Sequence, residues 1–357
     1  LRQQALRTIV ASSVSEVVLP KGENMSAQAF PVPALSQAGF SIPIAGYKRV
    51  YDCADVEEAM GEIKPGQNDV LRDTYEKMLK AGGNRFSVKP SSIPAMDDLY
   101  DDLPNFSEVL DDIRRQLSLC VNSRDNLELA PMLLLGDPGI GKTHFAKRVS
   151  KLLGTGFGFI SMSALTAGWI IGGASSQWKN AKPGKVFETF LRGEYANPVM
   201  VVDEIDKSAA DGAYDPLGAL YSLLEHDTAA EFIDEFIEIP IDASDVVWIA
   251  TANDARLIPE PILNRMNVYE IEAPDADAAR RIAMAIYRNI REEHDWGRRF
   301  PAVPSEAVLA CLADVSPREM RRLINKAFGN ASLAGRDELA VGDIDDSRPL
   351  KKARIGF

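Results

Sequence analysis

The segment Gly136-Asp137-Pro138-Gly139-Ile140-Gly141-Lys142-Thr143 fits the pattern G-x-x-x-x-G-K-[ST] and lies between the apolar run Met132 to Leu135 and a helical stretch from Phe145 to Leu153. Glycines at these places let the backbone curl until successive N–H groups face one point, where side chains would block an approaching anion. The helix that follows adds the positive end of its dipole. Lys142 is then placed to neutralise the outer phosphates of a nucleotide, and Thr143 to offer a hydroxyl to Mg²⁺. The segment Gly136 to Thr143, with His144 directly behind it, is the candidate nucleotide-binding stretch; ATP and Mg²⁺ are the expected cofactors.

Two further apolar runs, Val199 to Val202 and Val246 to Ala250, alternate with amphipathic stretches, as buried parallel strands with crossover helices do. Each ends in residues able to do chemistry, and ligands in such sheets sit beyond the carboxyl ends of the strands. Asp203 is expected in the Mg²⁺ shell beside Thr143, and Glu204 is expected to orient and polarise the attacking water. Asn253, after the third run, is a candidate contact to the outermost phosphate or to that water. The expected fold is a P-loop NTPase α/β domain, a parallel sheet flanked by helices, followed by a small all-helical lid, with a small, mostly helical N-terminal region.

Residues 1–95 form a region of unassigned role, in which Leu71, Tyr75, Met78 and Leu79 share one helical face ending at Gly82 and Gly83. Asp55 and Glu58 have capping-box spacing, and Asn84 to Ala95, with Pro90, Ser91, Ser92 and Pro94, reads as a linker. The nucleotide-binding domain is expected over 96–273. A helical lid follows over 274–340, where Met320, Leu323, Ile324, Ala327 and Phe328 fall on one stripe. Residues 341–357 form a short polar, basic tail.

The net charge of −12, from 40 Lys and Arg against 52 Asp and Glu, repels a polyanion at long range and disfavours nucleic acid as a partner. Cys53, Cys120 and Cys311 lack metal-ligand spacing and fit a reducing cytoplasm, and no apolar run is long enough to cross a bilayer. His144, His226 and His294 are scattered, without the spacing of a metal site.

The order of these motifs, together with Pro259-Glu260-Pro261-Ile262-Leu263-Asn264-Arg265-Met266, resembles the AAA+ ATPases and within them the ATPase module of Lon proteases. The likeness is densest from Pro183-Gly184-Lys185 through Asn197-Pro198, Asp203-Glu204-Ile205-Asp206-Lys207, Asp215-Pro216, Ala219-Leu220 and Phe232 to Asn264-Arg265-Met266. The resemblance implies that Asn253 is sensor 1, that Arg265 is an arginine finger reaching a neighbouring subunit's nucleotide, and that Arg318 is sensor 2. It implies a homo-oligomeric ring or spiral, usually of six subunits, acting on a protein substrate. Ser316, Pro317 and Glu319 place Arg318 at a helix start, off the apolar stripe. The position of Trp178 carries, in the Lon pattern, an aromatic that grips a peptide in the central pore; Lys179 follows it where the family tends to be apolar. Tyr214 is a candidate for a second pore loop.

The Ser-Lys protease domain that follows the lid in Lon has no counterpart before Phe357, which gives the expectation that this chain does not itself cut peptide bonds. Two other readings share the same ATPase core. One is a DNA-associated motor or loader; the other is a switch or scaffold that uses ATP to assemble.

Overall fold

The computed structural model of the chain describes residues 43–64, 68–121, 123, 125–164, 168–208 and 215–344. Strand β1 (Pro43–Arg49) leads through helices α1 (Cys53–Glu62) and α2 (Asp69–Ala81) to β2 (Asn84–Pro90), which returns antiparallel with Tyr47 opposite Phe86. Leu71, Tyr75 and Met78 of α2 are buried, and the helix stops at Gly82, whose φ of 70° a residue with a side chain rarely adopts. Helix α1 begins earlier than the capping-box spacing suggested. Asp52, in an extended conformation, accepts from Ala54 N at 2.9 Å and is the cap, which leaves Asp55 inside the first turn.

The segment Asn84 to Ala95 is not a linker, because its first seven residues are β2. Phe86 N donates to Glu194 O at 2.7 Å, and the buried Asn197 side chain both accepts from Val88 N and donates to Val88 O. The strand shows no apolar pattern in the sequence because its buried positions include Arg85 and Ser87, whose polar groups are satisfied internally by Phe190 O and Asp245. The N-terminal region therefore contains a strand pair as well as helices.

Next come α3 (Asp97–Asp102), α4 (Ser107–Val121), β3 (Met132–Leu135), α5 (Lys142–Leu153), β4 (Phe157–Ser161), α6 (Lys185–Arg192) and β5 (Val199–Asp203). Short helices α7 (Leu220–Leu223) and α8 (His226–Ala229) precede the two-residue strands β6 (Phe232–Ile233) and β7 (Pro240–Ile241). Strand β8 (Val247–Ala252), helix α9 (Glu260–Leu263) and strand β9 (Asn267–Glu270) complete the α/β part. The main sheet is parallel, in the order β4-β5-β8-β3-β9. Its edge strands, β4 and β9, were not anticipated.

Alternate residues of the interior strands β3, β5 and β8 enter opposite cores, which is why those strands read as unbroken apolar runs. Met132, Leu134, Val199, Val201 and Ile249 pack with α4 and α5, whereas Leu133, Met200, Val202, Trp248 and Ala250 join the opposite cluster. That second cluster also holds Val50, Tyr51, Val56, Leu71, Tyr75 and Met78, so the N-terminal elements share a core with the sheet.

Helices α10 (Ala276–Glu293), α11 (Glu306–Leu312) and α12 (Pro317–Leu333) build a third core, with Met320, Leu323, Ile324, Ala327 and Phe328 of α12 buried against Ile282, Tyr287 and Ile290 of α10. Ser316 caps α12 by accepting from Glu319 N, and Pro317 takes the first helical position. Tyr214 and the basic residues Lys351, Lys352 and Arg354 lie outside the described residues. Within them, no helix is long and apolar enough to cross a membrane.

Candidate active site

The ends of β3, β5 and β8 are neighbours in the sheet, so the three sequence motifs converge at one edge. The glycine-rich turn leaves β3 under tight constraint. A Cβ on Gly136 would lie 2.4 Å from Ile271 O, the backbone just after β9. Gly139 and Gly141 have φ of 88° and 107°, where a side chain is strained. Gly141 then caps α5 and turns its first N–H groups toward the cleft.

Lys142 is buried, and its Nζ donates to Gly136 O, to Asp137 O at 3.0 Å and to Asn253 Oδ1 at 3.0 Å. Burial pulls its pKa down, opposed by the charges of Asp203, Asp206, Asp137 and Glu204. Thr143 Oγ1 donates to Asp203 Oδ1 at 2.8 Å, and Thr251 Oγ1 donates to the same oxygen at 2.8 Å. The Thr251 hydroxyl also accepts from Glu204 N at 3.0 Å. One buried hydroxyl on β8 thus fixes both the Asp203 carboxylate and the backbone of Glu204. Glu204 is left-handed, at φ 56° and ψ 50°, a conformation that costs a non-glycine residue about 1–3 kcal/mol and that the surrounding bonds must hold. Behind it, Asp206 is buried and its Oδ2 accepts from Asn253 N at 3.2 Å.

A cleft of about 300 Å³ runs from these residues to the third core. Pro138 to His144, Asp203, Glu204, Asn253 and Arg318 all line it. Arg318 is brought there by α12, whose first turn docks on the loop: Arg318 N donates to Gly139 O at 3.2 Å. His144 sits between charged neighbours; burial first, then Arg148 and Arg321, hold its pKa below the usual imidazole value. Gly136 and Asp137 stand behind the cleft and contribute their carbonyls to Lys142.

Thr251, Leu103, Ile282, Ala285, Ile286 and Asn289 also line the cleft and were missed in the sequence. Thr251 left a faint signal, a hydroxyl directly after an apolar run and before Ala252. The residues from α10 left none, since a helix face turned to a ligand has the same periodicity as one turned to a core.

Three candidates lie elsewhere. Arg265 is outside the cleft, its Nε paired with Glu225 Oε1 at 2.7 Å and its Nη1 donating to Pro261 O at 2.7 Å. Trp178, 44% exposed, and the exposed Lys179 occupy the tip of the loop between β4 and α6.

No group of three His, Cys, Asp or Glu side chains forms a metal centre among the described residues. The adjoining oxygens of Thr143 and Asp203 instead fit a hard divalent cation that takes its other ligands from phosphate and water.

Glycine cradle, lysine and acidic strand end together define a P-loop nucleotide-binding domain. Residues 132–272 match the model of the "ATPase family associated with various cellular activities (AAA)". It is similar to the peroxisomal Lon protease homolog 2 of Arabidopsis thaliana, at 29% identity over 222 residues, covering 62% of this chain and 25% of that protein. A Lon protease of Lachnoclostridium phytofermentans is 35% identical over 140 residues, 39% of this chain and 17% of that protein. The likeness therefore spans about a quarter of the relatives' length or less. A closed-state reconstruction of Hsp104 with ATPγS and FITC casein shares the fold, with a TM-score of 0.52 at 16% identity over 66% of this chain and 46% of that one.

Proposed function

We propose that this chain is the ATPase module of an oligomeric, Lon-like AAA+ machine that hydrolyses Mg-ATP and uses the energy to remodel or unfold a protein partner. One observation carries the hydrolytic part: at the ends of three adjacent strands, Thr143 meets Asp203 while Lys142 meets Asn253. In this reading the N–H groups from Gly139 to Thr143, the Lys142 ammonium and Arg318 bind the triphosphate. Thr143 and Asp203 would hold Mg²⁺, which would supply charge neutralisation at the outer phosphates. Glu204 orients the attacking water, and Asn253 fixes that water or the terminal phosphate. Phosphoryl transfer asks mainly for such positioning and charge, since the protein need form no covalent bond to the phosphorus.

The placement of Arg265 outside its own cleft supports a role in the cleft of a neighbouring subunit, in a ring or spiral of about six. The exposed indole of Trp178 on a loop away from the nucleotide supports contact with a polypeptide, because a large, rigid, amphipathic side chain gains much area at low entropic cost. Cys53, Cys120 and Cys311 are free thiols, in keeping with a reducing cytoplasm.

The decisive experiment compares Glu204→Gln and Lys142→Ala with the wild type. Glu204→Gln is expected to bind Mg-ATP and lose phosphate release, and Lys142→Ala to lose both. Unchanged phosphate release in assembled Glu204→Gln would overturn the assignment. Turnover stimulated by DNA rather than by unfolded protein would replace the proposed partner by nucleic acid.

A further inference from the structure

Asp234, in the connection between β6 and β7, is a fully buried carboxylate that the phosphate site does not use. Its Oδ2 accepts from Gly184 N at 2.7 Å and its Oδ1 from Phe236 N at 2.9 Å. Gly184 closes the loop that carries Trp178, and Gly173 opens it. The three residues pack without slack: a Cβ on Gly173 would lie 2.3 Å from Asp234 Oδ1, and one on Gly184 would lie 2.2 Å from Ile171 O. Two backbone bonds complete this neck, Ala174 N to Lys182 O at 3.1 Å and Glu235 N to Gly172 O at 2.8 Å. Burying a carboxylate among N–H donors, with no ion pair to a cation among the described residues, is costly and calls for a reason at this position.

The loop is also held from the side. Asn68, the cap of α2, donates from Nδ2 to Ser176 O at 3.0 Å while its Oδ1 accepts from Leu71 N at 3.3 Å. The same helix reaches the segment that holds the neck, since Tyr75 Oη donates to Ile237 O at 2.7 Å. Just after β1, Val50 O accepts from Asp242 N at 2.7 Å.

We propose that Asp234 and Asn68 are positioning residues for the Trp178 loop, and that the described elements β1, α1, α2 and β2 act as a brace that sets the loop's stance toward a polypeptide. The inference rests on the reading of Trp178 as a polypeptide contact. It accounts for the N-terminal strand and helix elements, because a loop already ordered loses less freedom on engaging a chain, so more of each contact is retained as grip.

The full chain is tested with Asn68→Asp and Asp234→Asn, with Trp178→Ala as reference. Asn68→Asp keeps the acceptor that caps α2 and removes the donor to Ser176 O. Asp234→Asn has the volume of the native side chain but puts an amide NH₂ against a backbone N–H. Two readouts serve: stimulation of ATP turnover by β-casein, a natively unfolded probe, and the rate of trypsin cleavage after Lys179. Asn68→Asp is expected to hold basal turnover within about twofold of wild type, as befits a site remote from the nucleotide. Its casein stimulation should fall toward that of Trp178→Ala, with cleavage after Lys179 several-fold faster. Asp234→Asn, if it folds, should show both effects more strongly.

Loss of stimulation in Trp178→Ala with wild-type stimulation in Asn68→Asp overturns the brace, whatever the cleavage rate, and leaves the polypeptide-contact reading standing. Full stimulation in Trp178→Ala overturns that reading and the brace with it.

Discussion

Lys142 Nζ donates to Asn253 Oδ1 at 3.0 Å, so the ammonium at the end of the glycine-rich turn and the amide beyond β8 are joined across the cleft. The backbone of Asn253 is held in turn by Asp206 Oδ2 at 3.2 Å. With its oxygen committed to Lys142, the amide has its NH₂ free to donate to an oxygen arriving in the cleft. Asn253→Ala should therefore lower kcat for ATP hydrolysis by about 10²–10³. Nucleotide affinity should change by less than about tenfold, because the lost donor acts mainly where charge develops. Phosphate release at saturating ATP and equilibrium titration with a fluorescent nucleotide separate the two; a parallel fall in affinity would make Asn253 a ground-state binder.

Thr251 holds Asp203 and Glu204 through one hydroxyl. Thr251→Val keeps the shape and removes both bonds, leaving Glu204 N without its partner and one support fewer for a left-handed residue. We expect kcat to fall about 10–100-fold, as when an outer partner of a site is lost. The accompanying loss of stability should be about 1–3 kcal/mol. Steady-state kinetics alongside urea unfolding checks both, and an unaltered kcat would remove Thr251 from the site.

Burial pushes the Asp234 carboxyl from 3.8 up to about 7, against the N–H donations of Phe236 and Gly184 and with the help of Glu235. The folded protein thus keeps a proton that the unfolded chain has released. Stability should fall as pH rises from about 4 to about 7 and show no further contribution from this group above that. In Asp234→Asn this part of the slope should vanish. Denaturant unfolding of both proteins across the window is the check, and identical slopes would mean that Asp234 is ionised throughout.

The lid meets the phosphate loop where Arg318 N donates to Gly139 O, with the side chain of Arg318 in the cleft. Arg318→Ala should weaken Mg-ATP binding about tenfold, cutting the stabilisation by saturating ligand by about 1.4 kcal/mol. Chelation of Mg²⁺ with EDTA should reduce ATP-induced stabilisation in wild type and variant alike. Thermal melts with and without ATP decide the matter; an unchanged shift in Arg318→Ala would release α12 from nucleotide binding.

The interior strands β3, β5 and β8 were legible because each is buried on both faces and spells an apolar run that stops at Gly136, Asp203 or Asn253. The stop of α2 at Gly82 and the entry of α12 at Ser316 and Pro317 were legible through local backbone chemistry. Strand β4 was not: it lies at the sheet edge, and its Gly158 sits where a Cβ would meet Met200 Sδ at 2.1 Å, so tight packing removed the side chain that would have marked it. Strand β2 hid behind Arg85 and Ser87, which look like surface residues until Phe190 O and Asp245 satisfy them. The cleft wall from α10 and the Asp234 anchor depend on contacts between residues distant in sequence, which no local pattern encodes.

The Arg265 guanidinium stands outside its own cleft, held by Glu225 and Pro261 O and lying over the Tyr221 ring, 5.9 Å from its centroid. If it serves a neighbour's nucleotide, two inactive variants should complement each other. Arg265→Ala keeps an intact Glu204 site but offers no finger, and Glu204→Gln keeps the finger but has a dead site. In a mixed assembly, every Arg265→Ala cleft that faces a Glu204→Gln neighbour regains a complete set. Each variant alone should lose about 10³–10⁵ in turnover. An equimolar mixture, exchanged before ATP is added, should recover a readily measured fraction of wild-type phosphate release. A guanidinium acting only within its own chain, or only on its Glu225 ion pair, gives no recovery at any ratio, because no subunit in the mixture then carries both functional groups.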